Sequence, residues 1–148
     1  MDSYEKIKHL EMIERVIERM ASNSFKLKEW AVALTTLIGT LSYKSPDKWY
    51  AFVFLGTVPL LSFWLLDSYY LKLEREYRVL YKNVVNNELG MEYVLDTGKA
   101  IYSKDDAKRI CYLKCIFSKT EWCFYLALFI GFQLVLLFLN SNILSSNH

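Results

Sequence analysis

The amino-acid sequence predicts an all-α integral membrane protein with three transmembrane helices and an amphipathic helical region on the cytoplasmic side. Two observations carry the membrane assignment. Residues 49–66 and 122–139 each run 18 residues without a charge, the length of a bilayer crossing rather than of a core helix in a soluble domain. Apolar residues make up 53% of the 148-residue chain, above the soluble average of about 45–50%. A soluble enzyme domain is thereby excluded. So is a nucleic-acid-binding surface, because 18 basic against 16 acidic residues leave a formal charge of only +2, with no unopposed basic block.

The elements follow in chain order. Residues 1–29 alternate both charge signs and hold no apolar stretch behind a basic patch, which predicts that no signal peptide is cleaved. Ile7, Leu10, Ile13, Val16, Ile17 and Met20 recur at three- and four-residue steps among charged neighbours, so residues 1–24 form an amphipathic helix. Glu11, Glu14 and Glu18 on its polar side suit packing against a protein helix better than against lipid. Ala21, Ser22, Asn23 and Ser24 predict a break and a new N-cap.

Residues 25–66 read as a transmembrane hairpin. Its first helix is apolar only from Trp30 to Tyr43, about 21 Å at the helical rise against about 30 Å of hydrocarbon. Lys26, Lys28 and Lys44 extend it by reaching toward the headgroups. Ser45, Pro46, Asp47 and Lys48 form the turn. Gly56 and Pro59 predict a kink in the second helix. Beyond Asp67, the spacing of Leu66, Tyr70, Leu73, Tyr77, Leu80 and Val84 predicts that this helix runs on into water and ends before Gly90.

The remaining cytoplasmic region, within residues 67–118, carries a weak signal from Met91 to Tyr102 with a turn at Thr97 and Gly98. Ser103 and Asp106, and again Ser118 and Glu121, place a hydroxyl three residues before a carboxylate, so each pair opens a helix. Residues 119–148 supply the third span and a short disordered tail from Ser141 to Asn147. Positive residues resist translocation. Arg15, Arg19, Lys26, Lys28, Lys72, Arg75, Arg78, Lys82, Lys108, Arg109, Lys114 and Lys119 oppose only Lys44 and Lys48, which orients the N-terminus inward and the C-terminus outward.

Chemistry-bearing motifs are sparse. No nucleophile elbow, phosphate-cradling loop or histidine pair occurs among only 5 Gly and 2 His, so no catalytic residue, metal or cofactor is expected. His9 and His148 fall on opposite sides of the membrane. Cys111 and Cys115 lie four apart on one helical face and read, with Cys123, as reduced thiols; palmitoylation of Cys115 is a weaker alternative. Glu88, Glu92, Asp96, Asp105 and Asp106 read as solvated charges, and Asp67 as an interfacial carboxylate among belt aromatics.

Helix packing is where the spans become informative. Ala31, Thr35 and Gly39 fall four apart in the first span, as do Ala127 and Gly131 in the third, and such stripes let helix backbones approach closely in lipid. They serve packing within one chain or between copies. Gln133, with Asn140 two turns along, seeks an interhelical partner or lines a narrow aqueous path in a ring of subunits. Lys104, Lys108 and Arg109 form the basic cluster that an anionic signal would meet, diluted by Asp105 and Asp106.

The run from His9 to Val32 (HLEMIERVIERMASNSFKLKEWAV), followed by a short span and then Phe63 to Leu71 (FWLLDSYYL), resembles a widespread group of small bacterial membrane proteins, some of them transmembrane effectors of anti-phage defence systems. The similarity covers about residues 7–85, roughly half the chain. It implies a cytoplasmic sensor partner or signal that triggers oligomerisation and breach of the bacterial inner membrane.

The expected function is therefore that of a non-enzymatic membrane effector acting as a homo-oligomer in the lipid bilayer, in antiviral defence. The alternative is a membrane anchor or assembly protein that recruits a cytoplasmic partner without conductance. A transporter is disfavoured because the spans hold no ionisable residue to couple a substrate ion.

Overall fold

The structure, a computed structural model, describes residues 3–43, 48–86 and 95–146, the side chains of Ser3, Lys99 and residues 142–146 excepted. All regular structure among these residues is helical: α1 (Ser3–Ser42), α2 (Trp49–Val85), a single 3₁₀ turn (Thr97–Lys99), α3 (Lys104–Ile110), α4 (Tyr112–Ile116) and α5 (Lys119–Ser146). The chain divides into two compact units, one of Met1–Phe25 with Ser68–Phe117, the other of Lys26–Asp67 with Ser118–His148. Helices α1 and α2 each contribute residues to both.

The first unit is built on the amphipathic stripe of the N-terminal helix. Ile13 is fully buried and packs with Val79, Leu80 and Val84 of α2, and with Ala100 and Ile110. Leu10, Ile17, Tyr77, Tyr81 and Tyr102 close around them. The stripe therefore lies on protein, as its acidic polar face suggests, although Ile7 at its start stays exposed.

Between α2 and α3 the backbone is held by side chains rather than by a ladder. Asp96 caps the 3₁₀ turn by accepting from the Gly98 N–H at 2.9 Å. The Tyr102 hydroxyl donates to the Thr97 carbonyl at 2.6 Å, and the Ile101 N–H donates to the buried Asn83 side chain at 2.9 Å. Ser103 is the N-cap of α3, accepting from the Asp106 N–H at 3.2 Å, so this predicted helix start is present.

One expected helix is two. Cys111 leaves helical geometry between α3 and α4, at φ −53° and ψ 126°. The expectation that Cys111 and Cys115 share one helical face is corrected accordingly: Cys111 is exposed at the joint, and Cys115 is buried one turn on. The Arg75 guanidinium donates to the Arg109 carbonyl at 2.7 Å, satisfying an acceptor that a helix end leaves open.

The second unit packs Lys26–Ser42 of α1, the first half of α2, and α5. One cluster joins Ala31, Leu60 and Tyr125, one residue from each helix, with Phe63, Trp64, Phe124, Leu128 and Phe129 around them. A second joins Ile38 to Phe132 and Leu136, flanked by Leu34, Phe52 and Val53. Pro59 sits inside α2, which continues through it.

The hydroxyls in the apolar part of α1 are satisfied by their own helix. Thr35 donates to the Ala31 carbonyl at 2.8 Å, Thr36 to Val32 at 2.8 Å, Thr40 to Thr36 at 2.9 Å and Ser42 to Gly39 at 2.7 Å. Such bonds let polar residues face apolar surroundings without an unmet donor.

Two helices are long and apolar enough to cross a membrane, Trp49–Val85 and Lys119–Ser141. Only 11% and 17% of their most apolar stretches are buried inside the chain, whereas the core helix of a soluble domain would be covered. The shorter apolar part of α1 does not meet that measure.

Two further expectations are corrected. No break occurs at Ala21–Ser24, because α1 is one helix from Ser3 to Ser42. Each Ser or Asn costs only about half a kcal/mol inside a helix, while a break orphans four donors and four acceptors. The helix α5 also continues through Ser146 where a disordered tail was expected. The predicted turn at Ser45–Asp47, and Lys44, Glu88, Gly90, Glu92, Asn147 and His148, lie outside the described residues.

Candidate functional site

One end of the second unit is closed by charge. Lys28 lies two residues before Trp30, Asp67 follows Leu66, and Glu121 precedes Trp122. Asp67 and Glu121 each end an apolar run in their own helix, Lys28 stands one residue beyond the Glu29 that ends the run of α1, and bundling brings the three together. The Lys28 ammonium donates to Asp67 Oδ2 at 2.5 Å and to Glu121 Oε1 at 3.0 Å. The Tyr125 hydroxyl, one turn along α5 from Glu121, donates to Asp67 Oδ2 at 3.0 Å. Tyr125 is itself fixed by stacking on Trp64, with ring centroids 6.4 Å apart, and by an edge contact with Phe124.

Both carboxylates are withdrawn from solvent, their side chains 0% and 5% exposed, against 17% for Lys28. Asp67 Oδ1 and Glu121 Oε2 are buried without a hydrogen-bond partner among the described residues.

Two expectations gain detail here. Asp67, expected as an interfacial carboxylate among belt aromatics, is buried within the chain and ion-paired. Lys28 turns inward instead of reaching toward headgroups, although Lys26 is exposed.

The small-residue stripes meet. Thr35 and Gly39 of α1 and Ala127 and Gly131 of α5 line one groove of about 470 Å³, together with Thr36, Thr40, Val135 and neighbouring apolar side chains. Ala31 is buried beside it in the packed cluster. Gly39 approaches Val135, but a β-carbon at Gly131 would meet nothing within 4 Å, so this part of the stripe is unfilled. A cavity of about 290 Å³ lies between α2 and α5, lined among others by Leu60, Trp64, Trp122 and Phe129.

Gln133 and Asn140 are not brought into the groove. At 100° per residue they fall on roughly the opposite flank of α5 from Ala127 and Gly131. Gln133 is half-buried and makes no hydrogen bond among the described residues. Gly56 is buried, and a β-carbon there would overlap the Phe132 ring. Its place in α2 is thus a close helix approach.

In the first unit, Lys104, Lys108 and Arg109 are all exposed. Only Arg109 lines a cleft of about 480 Å³, where it is joined by Arg75, Arg78 and Asp106. The Ser103 hydroxyl donates to Asp106 at 2.6 Å and holds its carboxyl below the usual range. Arg78 is paired with Glu74 at 2.7 Å. Arg75 also reaches the Cys115 sulfur at 3.5 Å, and burial pushes that thiol up. Asp96 and Asp106 are each spent on local caps, and no cluster of three metal-ligating side chains occurs among the described residues.

Sequence reasoning missed the Lys28, Asp67 and Glu121 cluster. The available signal was that a lysine, Lys28, lies within two residues of the apolar run of α1 while the other two runs stop at the carboxylates Asp67 and Glu121. No family model, curated protein or solved structure matches this chain.

Proposed function

We propose that this chain is a non-enzymatic membrane protein that self-associates in the bilayer and perturbs or permeabilises it when its helical first unit receives a signal. The observation that supports this reading best is the open groove between α1 and α5, lined by both small-residue stripes. Lipid solvates an apolar helix as well as a neighbouring helix does, so helix association there rests on close backbone approach and hydrogen bonding. A groove floored by Gly131, with no atom near its missing side chain, suits a helix from a second copy.

Three crossings fit this reading, with the self-bonded hydroxyls of α1 reducing the cost of its polar residues. The N-terminus then lies in the cytoplasm and the C-terminus outside. Because α2 contributes residues to both units, a displacement of its polar half carries into the apolar one. The resemblance to anti-phage effectors supports a bacterial inner-membrane setting, with a cytoplasmic sensor protein or anionic signal as trigger.

The test is reconstitution of full-length protein into dye-loaded liposomes, with particle size measured in detergent. Oligomeric particles that release dye support the effector. A monomer that leaves the dye inside yet retains a cytoplasmic partner makes the chain an anchor.

A further inference from the structure

We propose that the cluster of Lys28, Asp67 and Glu121 binds one proton, carried by the Glu121 carboxyl. The argument rests on burial within the chain and is independent of the effector reading. Three helices bring one ammonium and two carboxyl groups together, and among the described residues the Tyr125 hydroxyl is the further titratable group bonded to a carboxyl of the set. With both carboxylates ionised the cluster carries a net charge of −1, and like charges at such a site resist joint ionisation.

Hydrogen bonding points the same way. Asp67 Oδ1 and Glu121 Oε2 are both buried without a partner among the described residues, and a buried acceptor left unmet is costly. Both carboxyl groups converge on the one Lys28 ammonium, Asp67 Oδ2 at 2.5 Å and Glu121 Oε1 at 3.0 Å, which leaves the site with more buried acceptors than donors. One proton thus neutralises the cluster and adds a donor.

Donor count decides which carboxyl carries it. Asp67 Oδ2 accepts from both Lys28 and Tyr125, at 2.5 and 3.0 Å, which stabilises its ionised form. Among the described residues the Glu121 carboxyl accepts from Lys28 alone, at 3.0 Å and shared with Asp67. The proton therefore resides on Glu121.

The linkage has a definite sign. A folded state that retains a proton the unfolded chain releases loses stability as pH rises. The experiment uses full-length protein in lipid nanodiscs. Infrared spectra at neutral pH should show a protonated-carboxyl band that shifts with carbon-13 glutamate labelling but not with aspartate labelling. In Glu121→Gln, an uncharged isostere of the protonated form, the band should be lost, and the melting midpoint should no longer fall as pH is raised from neutral to alkaline.

Absence of the band from the native protein overturns the proposal, as does its movement with the aspartate label. An unchanged pH slope in Glu121→Gln does the same. At constant pH, exchanging sodium for choline should leave the native melting midpoint where it is; a drop would mean that a metal cation occupies the site. The labelled native protein decides the matter even if the variant does not fold.

Discussion

Gly56 of α2 lies so close under the Phe132 ring of α5 that a β-carbon at position 56 would overlap it. The contact is with the ring itself, in a side chain that is 5% exposed and packed against Ile38 and Leu136. Phe132 cannot yield without disturbing that cluster. Gly56→Ala should therefore destabilise the apolar unit by about 1–3 kcal/mol, the usual cost of overpacking. Gly56→Ala combined with Phe132→Leu should recover part of the loss. Unfolding of the purified protein in mixed micelles measures both, and a Gly56→Ala variant as stable as the parent would refute the close approach.

Glycine at position 56 was legible in the sequence as part of a kink with Pro59, but not as a close approach to another helix. Gly56 one turn before Pro59 suggests a kink, and nothing in a one-dimensional pattern says that an aromatic ring 76 residues later fills the missing side chain. Periodicity reveals which residues share a helix face, so the continuation of α2 beyond Asp67 and the facing of Ile13 toward protein were readable. The Ser103 cap was readable because its chemistry is local. The charged cluster was not, since its members are 39 and 93 residues apart and each alone looks like an ordinary boundary charge. The unbroken α1 escaped for a different reason. Ser22, Asn23 and Ser24 weaken a helix by small local terms, and packing on both sides outweighs them.

Cysteine reactivity offers a direct check on the first unit. Cys111 is exposed at the joint between α3 and α4, while Cys115 is buried with its thiol pushed up by that burial. A water-soluble maleimide should label Cys111 readily near neutral pH and leave Cys115 unmodified until the protein is denatured. Raising the pH should bring Cys115 in later than Cys111, because its thiolate forms only at higher pH. Equal rates at the two positions would contradict the packing.

The start of α3 carries a pH dependence with a definite sign. Ser103 bonds the Asp106 carboxyl and holds it below its ordinary range. A carboxyl lowered in the folded state contributes stability above its unfolded value, and that contribution is lost as pH falls through the folded value. Ser103→Ala should loosen α3 and flatten the acid end of the stability profile. Amide hydrogen exchange at Asp106 and Ala107, compared between neutral buffer and buffer acidic enough to protonate a carboxyl held below its ordinary range, reads the effect. Unchanged protection in the variant would show that the cap does not hold this helix.

The two flanks of α5 separate assembly from conductance. Gly131 floors the groove against α1, and Gln133 sits on roughly the opposite flank, half-buried and with no hydrogen bond among the described residues. If a second copy fills the groove, Gly131→Leu should occupy that space from within the chain and shift detergent particles toward monomer. Its own fold should be retained, because no atom lies within 4 Å of the added β-carbon. Gln133→Leu should leave particle size unchanged and reduce dye release from liposomes, because an amide in an apolar helix is retained where it meets water or a partner. A smaller particle with Gln133→Leu would reassign that amide to a bond between helices. Normal assembly with unchanged release would move the aqueous path off this flank of α5, to the exposed Thr36 and Thr40 hydroxyls beside the groove.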